Sequence, residues 1–235
     1  MNNIRHITPL LFALLIAVLT GCESNVKFEN AQPKGIPALK EIPASLQGVY
    51  YGDTDSLYIQ KTTIILARTK PHEMLLSDSA QMGLHKNNKG KYVFPTGSNR
   101  SVTKVSNDTV YFNSRFVQNY KLGKDTVLKS WNNAYWLSTK RAEDTLWSVM
   151  HITLHKNKLT IAIPSIPSDE YSKMQTRMNL EKVNSDSCGM YSLIVPFTRP
   201  KGEDRFLITD PGPEQLKNLD KKGLFRPVGA FIKVK

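Results

Sequence analysis

From residue 44 onward the chain is written in short apolar runs broken by turn residues, with a period nearer two than 3.6. Leu57-Tyr58-Ile59 and Thr62-Thr63-Ile64-Ile65-Leu66 predict a hairpin. Lys91-Tyr92-Val93-Phe94, Val110-Tyr111-Phe112 and the run Phe116 to Tyr120 predict further strands. Val127-Leu128, Ala134 to Leu137, Leu146 to Leu154 and Leu159 to Ile163 continue the series. Four of these runs are introduced by the same small motif: Asp55-Ser56-Leu57, Asp108-Thr109-Val110, Asp125-Thr126-Val127 and Asp144-Thr145-Leu146. An aspartate there accepts backbone N–H bonds two residues on, and the hydroxyl residue opens the strand. One turn solution reused along a meander accounts for the recurrence, and so does a divergent duplication. As Ca²⁺ ligands these aspartates lack the dense alternating oxygens that a calcium loop requires.

The pattern changes in the last third. Ser168 to Asn179 predicts a helix, with Asp169 and Glu170 at its positive end and Tyr171, Met174 and Met178 on one face. Pro213 to Lys222 predicts a second, with Pro213 in the first turn, Leu216 and Leu219 as its apolar edge, and Gly223 closing it with help from Phe225. Tyr191 to Val195, Phe206 to Ile208 and Ala230 to Val234 read as strands. The expected fold class is therefore mainly β: an antiparallel meander, an open barrel or two β-rich lobes, with two short helices in the C-terminal third. Helices do not separate the strands, which disfavours a parallel α/β fold.

The N-terminus carries a different message. Arg5 and His6 precede an unbroken apolar run, Leu10 to Leu19, which is too short to span about 30 Å of hydrocarbon as a helix. The run ends in Leu19-Thr20-Gly21-Cys22, which resembles the lipobox of bacterial lipoproteins. That resemblance implies a signal peptide over residues 1–21, cleavage before Cys22, and a diacylglycerol on the Cys22 thiol; two or three acyl chains anchor a protein firmly. Residue 23 is Glu rather than the Asp of the familiar inner-membrane retention signal, so the expected address is the outer membrane, on its periplasmic side or at the cell surface. Residues 22–43, punctuated by Pro33, Gly35, Pro37 and Pro43, read as the lipidated cysteine and a flexible tether, leaving 44–235 as the β-rich globular domain. The lipobox, the tether, the Leu46-x-Gly48-x-Tyr50 start and the Asp-Ser-Leu-x-Ile hairpin are together similar to β-rich lipoproteins of Bacteroidota-type Gram-negative bacteria. That likeness is one of style and brings no activity with it.

Composition narrows the chemistry. The 235 residues carry a formal net charge of +12. Such a surface suits lipid headgroups or acidic glycans, although the lysines are scattered. The expected address outside the cytoplasm argues against nucleic acid as a partner. Of the two cysteines, Cys22 is assigned to lipid, which leaves Cys188 without an intrachain disulfide partner. As a nucleophile Cys188 would lack a histidine downstream, none following His155; a small unreactive thiol is the simpler reading. His72-Glu73 lacks the second histidine of a zinc-protease helix, residue 76 being Leu. His151 and His155, four apart in a strand, would lie roughly 13 Å from one another, too far to share a metal. No Gly-x-Ser-x-Gly elbow or phosphate loop occurs, and neither a metal nor a cofactor is expected.

Trp131, Tyr135, Trp136 and Trp147 make an aromatic-rich centre, and two readings of it stay open: a core, or a cleft for sugar or lipid with Arg115 and Arg141 at its edge. The function expected is a non-catalytic binding or assembly module anchored through Cys22, with another envelope protein as candidate partner. The alternatives are a small envelope hydrolase on glycan or lipid, and a β-barrel carrier of a small lipid-like ligand.

Overall fold

The computed structural model describes residues 24–179, 191, 197–198 and 206–234. The lipobox with Cys22, Cys188 and residues 192–195 of the expected Tyr191–Val195 strand lie outside them; Tyr191 itself is helical rather than strand. In chain order the strands are β1 (Val26–Phe28), β2 (Gly48–Tyr51), β3 (Asp55–Ile59), β4 (Thr63–Leu75), β5 (His85–Lys86), β6 (Tyr92–Val93), β7 (Arg100–Ser106), β8 (Thr109–Lys121), β9 (Thr126–Trp131), β10 (Ala134–Thr139), β11 (Ser148–His155), β12 (Lys158–Pro164), β13 (Leu207–Thr209) and β14 (Phe225–Lys233). A 3₁₀ helix spans Leu76–Met82, and the α-helices are α1 (Ser168–Asn179) and α2 (Pro213–Lys221). The protein is thus mainly β, with α1 and α2 in the C-terminal third, as the patterning implied. Ten strands form an antiparallel sheet in the order β7-β8-β4-β3-β2-β14-β12-β11-β10-β9, with β7 and β9 at its edges, so it does not close into a barrel.

The chain divides into two compact units. The first comprises Lys129–Ile152, Ile161–Val228 and the described part of Met1–Pro37. Its core gathers Phe28, Trp136, Met174, Tyr191, Leu219 and Phe225, among others. Helix α2 follows its sequence closely. Pro213 opens it, and the Gln215 side chain accepts a hydrogen bond from the Gly212 amide at 2.9 Å. At its end Gly223 takes φ +79°, the Gly223 amide donates to Asp220 and the Leu224 amide to Leu219, the double bond of a Schellman closure. Leu219 and Leu224 are both fully buried, so Leu224, not the expected Phe225, is the apolar residue at that closure. Phe225 packs edge-on against Trp136 instead.

The expected tether is folded. Residues 24–37 belong to the first unit: β1 pairs in parallel with β13, Val26 opposite Leu207 and Phe28 opposite Thr209. Val26 and Phe28 are fully buried. The Asn25 side chain exchanges two 2.8 Å hydrogen bonds with the Ile166 backbone, and the Gln32 amide donates to Ser138 Oγ at 2.9 Å. Asp210 accepts from Asn30, Gln32 and Lys34. The buried Lys129 ammonium donates to the carbonyls of Ala31 and Pro33 at 2.7 and 2.8 Å. Burial pushes Lys129 below its ordinary range. The prolines and glycine mark turns in a pinned segment rather than a loose linker. A three-residue strand is too short to declare a period, which is why the pattern hid it.

The second unit comprises Ala38–Leu128, Thr153–Thr160 and the described part of Gly229–Lys235. Ile42 and Leu46 are buried in it, and the Tyr50 hydroxyl donates to the Leu46 carbonyl at 2.8 Å, its pKa raised by burial. The expected hairpin is β3–β4, in the register Leu57–Leu66. Two elements run longer than their patterns. β4 continues to Leu75, and the runs at Val110 and Phe116 merge into one strand, β8, because Asn113-Ser114-Arg115 contains neither Gly nor Pro to break it. The distal parts of β4 and β8 carry a small core of their own, Leu84, Phe94, Val110 and Phe112.

Candidate functional site

The aromatic centre belongs to the first unit and is mostly packing. Trp136 on β10 is fully buried, stacked on His151 at 4.3 Å between ring centroids and edge-on to Phe225 at 5.0 Å. Trp131 lies 6.2 Å from Trp136, and its carbonyl accepts from Trp136 Nε1. His151 Nδ1 sits 3.3 Å from Asp220 Oδ1, which orients the imidazole against the indole. Tyr135 is half-buried opposite Ile152. Trp147 is half-buried against the same core, with Lys140 over its ring at 5.0 Å, while Arg141 is exposed. Arg115 is exposed on β8 in the second unit. The structure therefore gathers Trp131, Trp136 and Trp147 around one core of the first unit. Among the described residues, no three His, Cys, Asp or Glu side chains are grouped to hold a metal ion.

A different surface stands out in the second unit. Register fixes which side chains share a face. One row across β14, β2, β3, β4 and β8 is Ile232, Tyr51, Ser56, Ala67 and Val117. In the next row Val234, whose amide donates to the Val49 carbonyl, leads to Val49, Tyr58, Ile65 and Asn119. The opposite face carries Tyr50, Leu57, Ile64, Leu66 and Phe231, all buried. On the first face Tyr51 is 53% exposed, Val117 57%, Ile232 49% and Val234 49%, while Val49, Tyr58 and Ile65 are half-buried and Ala67 is buried between its neighbours. Arg115 and Lys121 sit on this face of β8, opposite Thr69 and Thr63.

Where this face meets the β2–β3 turn it deepens into a pocket of about 470 Å³, lined by Tyr51, Gly52, Asp53, Thr54, Asp55, Ser56, Thr69, Pro71 and Asn113. The turn is pinned: the Gly52 amide donates to the Asp55 carbonyl at 2.9 Å, the Thr69 amide to the Thr54 carbonyl at 3.2 Å, and Arg68 pairs with the Asp55 carboxylate at 3.2 Å.

Tyr51, Asp53, Asn113, Val117 and Ile232 lie outside the aromatic-rich centre of the sequence. A signal for the face was nevertheless present. Val49-Tyr50-Tyr51, Leu57-Tyr58-Ile59 and Ile64-Ile65-Leu66 are apolar at consecutive positions, so both faces of those strands are apolar, the mark of a sheet covered on both sides. No family model, curated protein or solved structure matches this chain.

Proposed function

We propose that this chain is a lipid-anchored envelope protein that works by binding rather than by turnover, and that the open sheet face of the second unit is its working surface. The observation that supports this is the pair of apolar rows from β14 to β8. Their strands have the sequence of a two-sided buried sheet, yet on one side Tyr51, Val117, Ile232 and Val234 remain about half exposed among the described residues. An apolar surface of that kind marks an interaction site. The occupant we assign is another envelope protein presenting an apolar, acid-rimmed surface, since Arg115 and Lys121 lie on this face and the chain is +12 overall. The anchor rests on the lipobox resemblance at Cys22 and the outer-membrane address on Glu23; no nucleic acid enters this reading. The β-barrel carrier has no support, because the sheet does not close.

A photo-crosslinking amino acid at Val117 or Ile232, in the full-length chain in living cells, tests this. Both positions are expected to capture the same envelope protein, and the exposed Glu143, in the other unit, is not. Absence of a shared partner at both face positions refutes the assignment.

A further inference from the structure

We propose that the pocket at the β2–β3 end of the open face is a subsite for a neutral glycan. This rests on the reading of that face as a binding surface and adds a ligand class to it. Three properties of the lining carry the argument.

The first is an aromatic platform. Tyr51 closes one side of the pocket with its ring half-exposed, and Pro71 adds apolar surface. Sugar rings present C–H faces that stack on such a surface, as amphipathic aromatics favour. The second is the balance of donors and acceptors. Ser56 and Thr69 offer hydroxyls that both donate and accept, Asn113 offers an amide that does the same, and Asp53 is a pure acceptor. Such a set matches a ligand rich in vicinal hydroxyls, which supply O–H donors to the carboxylate and lone pairs to the amide. The third is charge. The lining holds two carboxylates and no lysine or arginine, so it offers no cation of its own to a phosphate or an acidic sugar. Asp55 is already engaged by Arg68, which leaves Asp53 as a single free carboxylate, too few hard ligands for a calcium ion. The pinned turn holds Asp53 beside Tyr51 without needing the ligand to order it. The volume, about 470 Å³, falls within the span usual for small-ligand sites.

The test uses the full-length chain and three neutral hexasaccharides, cellohexaose, chitohexaose and mannohexaose, in isothermal titration up to about 5 mM sugar. At least one is expected to bind with a Kd below about 1 mM. Tyr51→Ala and Asp53→Asn are each expected to weaken it by about tenfold or more, and Tyr51→Phe to retain it. Phe116→Ala, on the opposite face of β8, is expected to leave binding unchanged. All these side chains are exposed, and unchanged circular dichroism certifies the fold of each variant. Absence of binding to all three sugars overturns the proposal, and so does binding that Tyr51→Ala and Asp53→Asn leave intact. A shared protein partner captured at Val117 and Ile232 with no sugar bound would leave the envelope-binding reading standing and remove the glycan one.

Discussion

Replacing Phe28 with alanine tests whether the segment after the lipobox is structure or string. Phe28 is fully buried in β1, its amide donates to the Trp147 carbonyl at 3.0 Å, and its own carbonyl accepts from the Trp147 amide at 2.8 Å. The substitution leaves the backbone bonds and removes the ring from a packed core. Such truncations cost about 3–5 kcal/mol, the larger values where the cavity cannot relax. β1 is three residues long and paired in a two-stranded sheet, so it can shift toward the void, which places the expected loss near 3 kcal/mol. With a urea slope of roughly 2 kcal/mol/M, the unfolding midpoint falls by about 1.5 M. Tryptophan fluorescence is the matched probe. The chain has three tryptophans, Trp131, Trp136 and Trp147, and all lie in the first unit. Lys40→Ala, at an exposed position, is expected to change stability by no more than about 0.5 kcal/mol. A loss under about 1 kcal/mol for Phe28→Ala refutes the packed-segment reasoning, because a tether loses nothing when its side chains are trimmed.

Three further outcomes are expected. Gly223→Ala forces a Cβ into the left-handed conformation that closes α2; with open space around it the cost is strain alone, about 1 kcal/mol, read as a lower melting temperature. Lys129 has its pKa lowered by burial, so the unfolded chain holds that proton more tightly and folded stability rises with pH through the window below 10.5. Lys129→Met is expected to flatten that rise in urea titrations across the window, and an unchanged slope would show that Lys129 does not set it. Cys22→Ala is expected to release the chain from the membrane fraction of lysed cells, and an undiminished membrane fraction removes the lipid anchor.

Much of the architecture was legible residue by residue. The opening and closure of α2 follow from Pro213 and Gly223, because capping chemistry is local. The β3–β4 hairpin is equally local. What stayed hidden was non-local. β1 gives no sign of strand until Leu207 lies beside Val26, and Asn25 reads as linker until its amide meets Ile166. Trp136 and Trp147 looked prominent because they are large, but size speaks for burial as readily as for binding. The open face is set by cross-strand register, which places Val117 in one row with Tyr51, with two strands between them, although neither is conspicuous alone. The doubled apolar pattern of Val49-Tyr50-Tyr51 was the readable clue, and it told of two apolar faces without telling which would be covered.

The pairing of β1 with β13 also has a consequence in time. Val26 meets Leu207 across roughly 180 residues, and closing a loop of that length costs about 4–5 kcal/mol of chain entropy before any contact offsets it. During synthesis the strands from Gly48 to Lys121 can pair with near neighbours while Val26 and Phe28 have nothing to pair with. The earliest strand made is therefore among the last to be placed. Throughout that interval its apolar side chains stand unprotected, close to the point where a lipid would be attached.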